Sequence, residues 1–310
     1  MHLKCKFDNG EFALLAELQP PKGTDISRMV ANIQPVRNIV DAFVVTDMNN
    51  AMMHMSALSS AMLLQSQGVE TVMQVCVRDR NRLALQADLL GANACGVENL
   101  LTITGEDPVF GDHQQALAVH DLDHLDLLYA ISGLQNGKDL AGKDLDGAPQ
   151  FLIGSTVNSN LKGQALELEI EKMNRRHEAG ARFFVTPPVF DLASMAPFFE
   201  RVDPQKYKII PSVLLLKSLG MVRYIERNLK HVLIPPTLVQ RIQAASDKGL
   251  ECLRVTQELV AVLKAEGFSG VQITTLGRED RLSALLGVQG EAEHDRPLED
   301  TMQSMTIKGR

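Results

Sequence analysis

Short apolar runs rich in β-branched residues recur along this chain, separated by stretches whose apolar positions repeat with a helical period. The runs predict strands at Phe12–Leu18, Ala42–Thr46, Thr71–Val77, Asn99–Thr104, Phe151–Val157, Arg182–Thr186, Lys208–Val213 and Val271–Leu276. Between them the periodicity predicts helices at Asp25–Val40, His54–Gln67, Asn81–Ala94, Leu122–Gly133, Lys162–Ala179 and Val189–Val202. The longer gap before the last strand has room for two or three more, including Leu238–Ala245 and Leu250–Gly267. Strand–helix alternation implies a parallel sheet. Eight such units in about 250 residues match an α/β fold of the (β/α)8 TIM barrel type, with extra helices before the last strand. An open Rossmann-like sheet is the alternative, but no Gly-x-Gly-x-x-Gly follows any strand. Residues 1–290 read as a single catalytic barrel and 291–310 as a polar C-terminal tail.

A barrel gathers its chemistry at the carboxyl ends of its strands. The polar residues there are Glu17, Thr46-Asp47, Arg78-Asp79, Thr104-Gly105-Glu106, Asn158, Thr186 and, just beyond the last strand, Arg278. Glu17 ends an apolar run and is followed by Pro20-Pro21, which cannot continue a ladder. An acid at the mouth of a buried strand must be paired, solvated or protonated, which makes Glu17 a candidate proton donor. Glu106 and Asp107 are expected beside it, so that two acids share one cavity and can be tuned apart. Thr102, Thr104 and Glu106 share parity and are expected on one side of the sheet, with Gly105 allowing a flat ligand to approach. Phe183, Phe184 and Phe190 could line a planar ligand or simply pack in the core. The run Gly105–Asp121 is a long loop of the kind that covers ligands.

Composition narrows the partners. A net charge of −7 and a pI near 5.6 argue against nucleic acid, which needs clustered Lys and Arg. Lys172, Arg175, Arg176 and His177 do cluster, and the spacing alone allows a solvated helix face. Four separated cysteines and eight scattered histidines show no ligand spacing, so no metal site is expected. No apolar segment is long enough to span a bilayer and the N-terminus lacks a secretory pattern, so a cytoplasmic, reduced protein is expected.

Taken together, the ordered motifs resemble the methylenetetrahydrofolate reductase family, in the form of short bacterial enzymes without a regulatory domain. They run from Glu17-x-x-Pro20-Pro21-Lys22 to Thr275-Leu276-x-Arg278. Between these lie Val77-Arg78-Asp79-Arg80-Asn81-Arg82, Gly96 to Glu106, Gly111-Asp112-His113, Ile153 to Asn158 and Glu178 to Thr186. The resemblance implies flavin-dependent reduction of 5,10-methylenetetrahydrofolate to 5-methyltetrahydrofolate, with Glu17 as general acid and the flavin as hydride donor. It implies FAD, with FMN the other option, and NAD(P)H or a reduced partner protein as electron source. A homo-oligomer is expected. Residue by residue, it assigns Thr46, Gln74, Thr104, Gly105, Glu106, Ser155, Asn158, Arg175 and Arg176 to the flavin. Glu17, Glu106, Pro187 and Arg278 fall to the folate, and catalysis to Glu17 and Glu106.

Three positions depart from the family pattern. Thr104 stands for an arginine, Gln74 for a histidine of some relatives, and Pro187 for a glutamine that contacts the pterin. Proline has neither an amide side chain nor a backbone N–H, so one hydrogen-bonding arrangement is lost. Two further readings follow: a non-catalytic or partner-dependent pterin- or flavin-binding subunit with altered pterin specificity, and a cofactor-free barrel lyase or hydrolase using the same acidic rim.

Overall fold

The computed structural model describes residues 3–204, 206–228 and 232–288; the expected tail at 291–310 lies outside them. Eight strands close into a barrel in sequence order, every neighbouring pair parallel. They are β1 (Ala13–Leu18), β2 (Ala42–Val45), β3 (Thr71–Cys76), β4 (Asn99–Ile103), β5 (Leu152–Thr156), β6 (Phe183–Val189), β7 (Lys208–Leu214) and β8 (Gly270–Thr274). The helices are α1 (Leu3–Asp8), α2 (Ser27–Ile33), α3 (Ala57–Gln65), α4 (Arg82–Ala94), α5 (His124–Gln135) and α6 (Gly163–Glu178). After them come α7 (Ala196–Phe199), α8 (Leu219–Asn228), α9 (Pro236–Ala244), α10 (Lys248–Ala265) and α11 (Leu282–Leu285). Three of these, α8 to α10, fill the gap before β8, as the length of that gap requires.

Strand alternation divides the buried residues into two layers. Leu15, Val44, Val72, Leu101, Phe183 and Ile210 meet inside the barrel. Leu18, Val45, Val75, Leu100, Phe184 and Ile273 pack outward against the helices. The interior is closed at the amino ends of the strands by α1, whose Leu3 and Phe7 are buried among the interior residues. Phe7 lies 5.5 Å from the Phe183 ring. Glu70 fixes this plug by accepting from the Leu3 backbone N–H at 2.6 Å.

Two expectations are corrected. The strand predicted to stop at Thr186 continues to Val189 through Pro187 and Pro188. It does so because its register against β7 shifts between Val185 and Pro188, and the Thr186 hydroxyl takes the Ser212 N–H at 3.2 Å. The helix predicted over Val189–Val202 shrinks to a 3-10 turn at Ala193–Met195 and the single turn α7. The strand phenylalanines make no aromatic wall: Phe183 points inward, Phe184 outward, and both are fully buried.

Candidate functional site

Glu17 is on the inward face of β1, two residues above Leu15, and opens half-buried at the carboxyl end of the barrel. Its pKa is pushed up to about 7. Loss of water is the main cause, Glu279 adds repulsion, and Glu106 adds a little more. Thr274 opposes the shift by donating to Glu17 Oε2 at 3.4 Å. Thr274 is directly opposite on β8 and is itself joined to Ser212 Oγ at 3.2 Å. The acid therefore keeps its proton near neutrality and stays in reach of the open mouth. Glu17 and the loop after β4 open at the same end of the barrel.

Glu106 is exposed at that rim. Its backbone is held by Arg78, which is 2% exposed and donates from Nη1 to the Glu106 carbonyl at 2.8 Å. The same guanidinium grips Asp79 through Nε at 2.7 Å and Nη2 at 2.6 Å. Gly105 adopts a left-handed φ of 84°, and a Cβ there would meet Cys76 Sγ at 2.3 Å. The glycine is thus required by the protein's own packing against Cys76. Burial pushes the Cys76 thiol up to about 12, with the Arg78 backbone hydrogen bond opposing, so it is inert.

Thr102 and Thr104 share one face of β4, as their spacing predicts, and that face is turned toward α5. Thr102 faces the helix layer, where its hydroxyl meets His124 Nε2 at 2.9 Å and donates to the Gly154 carbonyl at 3.0 Å. Ser155 Oγ reaches the same nitrogen at 3.1 Å, and Thr104 Oγ1 lies 3.5 Å from His124 Nδ1. The Ser155 hydroxyl is therefore occupied behind the sheet, while Thr104 on the same face is exposed. Burial and the nearby Arg176 charge press His124 down to about 4, so it is neutral. Arg176 is likewise held by protein groups, donating to the Thr156 carbonyl at 2.8 Å and pairing with Glu169 at 3.4 Å. Arg175 is exposed one residue away.

Thr46 and Gln74 continue the inward alternation of β2 and β3. Gln74 Oε1 accepts from the Asp47 N–H at 3.1 Å. Asp47 is 1% exposed, paired in two-pronged fashion with Arg80 at 2.8 and 3.0 Å, and also accepts from the Cys76 N–H at 3.2 Å. This network ties β2, β3 and the start of α4 together. Asn158 follows β5, its N–H donating to Glu169 at 3.2 Å and its Oδ1 accepting from Asn160 N–H at 3.1 Å. Pro187 is half-buried at the β6 register shift. Arg278 pairs with Asp280 through Nε and Nη2, both at 3.1 Å.

The loops over the mouth are fastened by Asp112. It accepts from the Met53 N–H at 3.0 Å, contacts His113 Nδ1 at 2.9 Å and pairs with Lys22. Burial acts against its charge, but these donors outweigh it and hold the carboxyl well below the usual range. Gly111 is needed here, since a Cβ would strike the Ala51 carbonyl at 1.9 Å. Three buried side-chain oxygens at this end have no protein partner among the described residues: Gln272 Oε1, Thr275 Oγ1 and Ser159 Oγ. Sequence reasoning missed Thr274, Ser212, Gln272 and Glu279. The sequence signal was the two-residue spacing of Gln272 and Thr274 in β8 and a single hydroxyl among the apolar residues of β7 for Ser212.

The family model for methylenetetrahydrofolate reductase matches residues 2–290. The chain belongs to that family. The methylenetetrahydrofolate reductase motifs and the barrel read from the sequence are both borne out. Among solved structures, the chain is similar to an uncharacterized protein from Clostridium thermocellum described as binding two copies of 5-methyl-5,6,7,8-tetrahydrofolic acid. The TM-score is 0.59 at 13% identity, over 92% of this chain and 96% of that one, a likeness of fold. A 2,3-dimethylmalate lyase of the PEP mutase/isocitrate lyase superfamily scores 0.47 at 11% identity, over 92% of this chain and 83% of that one. No curated protein matches the chain significantly. Among the described residues, no helix is long and apolar enough to cross a membrane.

Proposed function

We propose that the chain reduces 5,10-methylenetetrahydrofolate to 5-methyltetrahydrofolate, with Glu17 as general acid. The observation that carries this reading is a carboxyl that holds its proton to about pH 7 at the open end of a barrel of this family. The C. thermocellum neighbour supports it, because the ligand in its description is chemically the product of this reaction.

The chemistry requires a proton at N10 of the folate. Glu17 supplies it, which opens the five-membered ring and leaves an electrophilic iminium at N5. Thr274 holds Glu17 Oε2, so the proton is presented from a fixed carboxyl. Bound flavin would supply the hydride to the one-carbon unit. Thr46 and Gln74, with the backbone around Gly105 and Glu106, would hold the ring system, and Asn158 and Arg175 the more distal groups. Thr104, Ser155 and Arg176 would support that site from behind, given where their side-chain bonds go. Glu106, an acid exposed at the rim, would face the pterin and act electrostatically on positive charge developing there. Arg278 would lie on the folate side. Pro187 offers the pterin no donor, so its edge must be satisfied by another group. Reducing equivalents would come from NAD(P)H or a reduced partner protein.

Steady-state reductase assays of Glu17→Gln against the wild type test the reading. A fall in kcat of about 10²–10⁴, typical of losing a general acid, is expected while folate affinity changes little. Full turnover in Glu17→Gln would overturn it.

A further inference from the structure

The loop after β8 is locked onto the loop after β1 at a point two residues from Glu17. The Gln19 backbone N–H donates to Glu279 Oε1 at 3.2 Å. Gly277, with φ of 81°, comes so close that a Cβ would lie 3.1 Å from Gln19 Oε1. The Gln19 amide nitrogen lies 2.7 Å from His54 Nε2, and His54 Nδ1 is 3.0 Å from the Met52 carbonyl, which places the ring proton on Nδ1. Gln19 therefore joins the loops after β1, β2 and β8.

Glu279 is 6% exposed, although it lies in the charged run Gly277-Arg278-Glu279-Asp280-Arg281. A carboxyl withdrawn from water in this way needs compensation. Burial, the largest influence, pushes its pKa up and Asp280 adds to that, while its own backbone N–H, the Gln19 N–H and Arg28 favour the ionised form without cancelling the rise. Glu17 is pushed in the same direction, with different neighbours. Burial again weighs most, Glu279 and Glu106 press negative charge on it, and the Thr274 hydroxyl bond favours its anion. The two carboxyls therefore stand in unequal surroundings: Glu279 accepts from backbone N–H groups, and Glu17 accepts from the Thr274 hydroxyl while facing the Glu279 carboxyl.

We propose that Glu279 is a positioning residue for Glu17: it fixes the β1 loop through Gln19 and sets a carboxyl charge against the acid. The inference rests on reading Glu17 as the proton donor. Glu279→Gln is nearly isosteric and keeps an oxygen for the Gln19 N–H, so it removes the charge and leaves the clamp. The full chain carrying ¹³C-labelled glutamate side chains would be titrated by NMR, the Glu17 signal being identified by its loss in Glu17→Gln. In Glu279→Gln the Glu17 midpoint is expected to fall by roughly one pH unit, the order expected for removal of a like charge. Glu279→Asp, which keeps the charge, should leave the midpoint nearer the wild-type value than Glu279→Gln does. The high-pH limb of kcat should move down with the midpoint in Glu279→Gln, with KM little changed. A Glu17 midpoint that is the same in wild type and Glu279→Gln overturns the proposal. Retained turnover in Glu17→Gln would instead overturn the proton-donor reading, and the NMR comparison does not depend on turnover.

Discussion

Glu17 is a residue whose burial costs stability once it ionises. Its folded pKa of about 7 lies above the ordinary value of 4.5, so the folded chain binds the proton more tightly than the unfolded one. The contribution to stability is full below pH 4.5 and is lost as pH rises through 7. Glu17→Gln mimics the protonated form at every pH. Thermal unfolding should therefore show Glu17→Gln more stable than wild type at pH 8, by about 1–3 kcal/mol after allowing for the open mouth, and nearly equal to it at pH 5. A variant less stable than wild type at pH 8 would mean that the carboxylate is satisfied in the fold. Glu17 was legible in the sequence because an acid stood at the end of an apolar run before two prolines. Glu279 was not, because a glutamate between two arginines and an aspartate reads as a solvated surface group. Its burial depends on a loop contact 260 positions away in sequence.

Elements were legible wherever local pattern and tertiary environment agreed. All eight strands have the predicted order, since buried parallel strands leave continuous apolar runs. The sequence could not say which face of each run points inward, and that decides Thr102, Thr104 and Ser155. A threonine or serine among apolar neighbours fits either side, and here the matching partner, His124, comes from α5. Gly154 shows the same dependence at close range. A Cβ there would lie 2.2 Å from Cζ of Phe183, whose ring is trapped between Gly154 and Phe7. Gly154→Ala should lower stability by about 1–3 kcal/mol in denaturant unfolding, the usual cost of overpacking a filled core. An unchanged midpoint would show that the ring can move aside.

On the scale of the whole molecule, one end of the barrel is sealed and the other is assembled from loops. The seal is α1, which the sequence reading left out because six residues are too few to show a helical period. Phe7→Ala removes a 4%-exposed side chain from that plug and should cost about 3–5 kcal/mol, with little effect on folate affinity because the mouth is at the far end. At the mouth, Asp112 joins the loops after β1, β2 and β4 from a partly exposed position. Asp112→Asn is expected to change global stability by about 1 kcal/mol or less while making the Gly105–Asp121 loop more readily cleaved by protease. A cleavage rate equal to that of the wild type would show that the clasp does not govern the loop.

The most direct test of the account is an anaerobic half-reaction on the flavin-loaded protein. The bound flavin is photoreduced, mixed with 5,10-methylenetetrahydrofolate and followed by absorbance. Reoxidation of one flavin per substrate is expected, with 5-methyltetrahydrofolate as product and the rate lowered about a hundredfold or more in Glu17→Gln. A flavin that stays reduced in the presence of saturating substrate would contradict it.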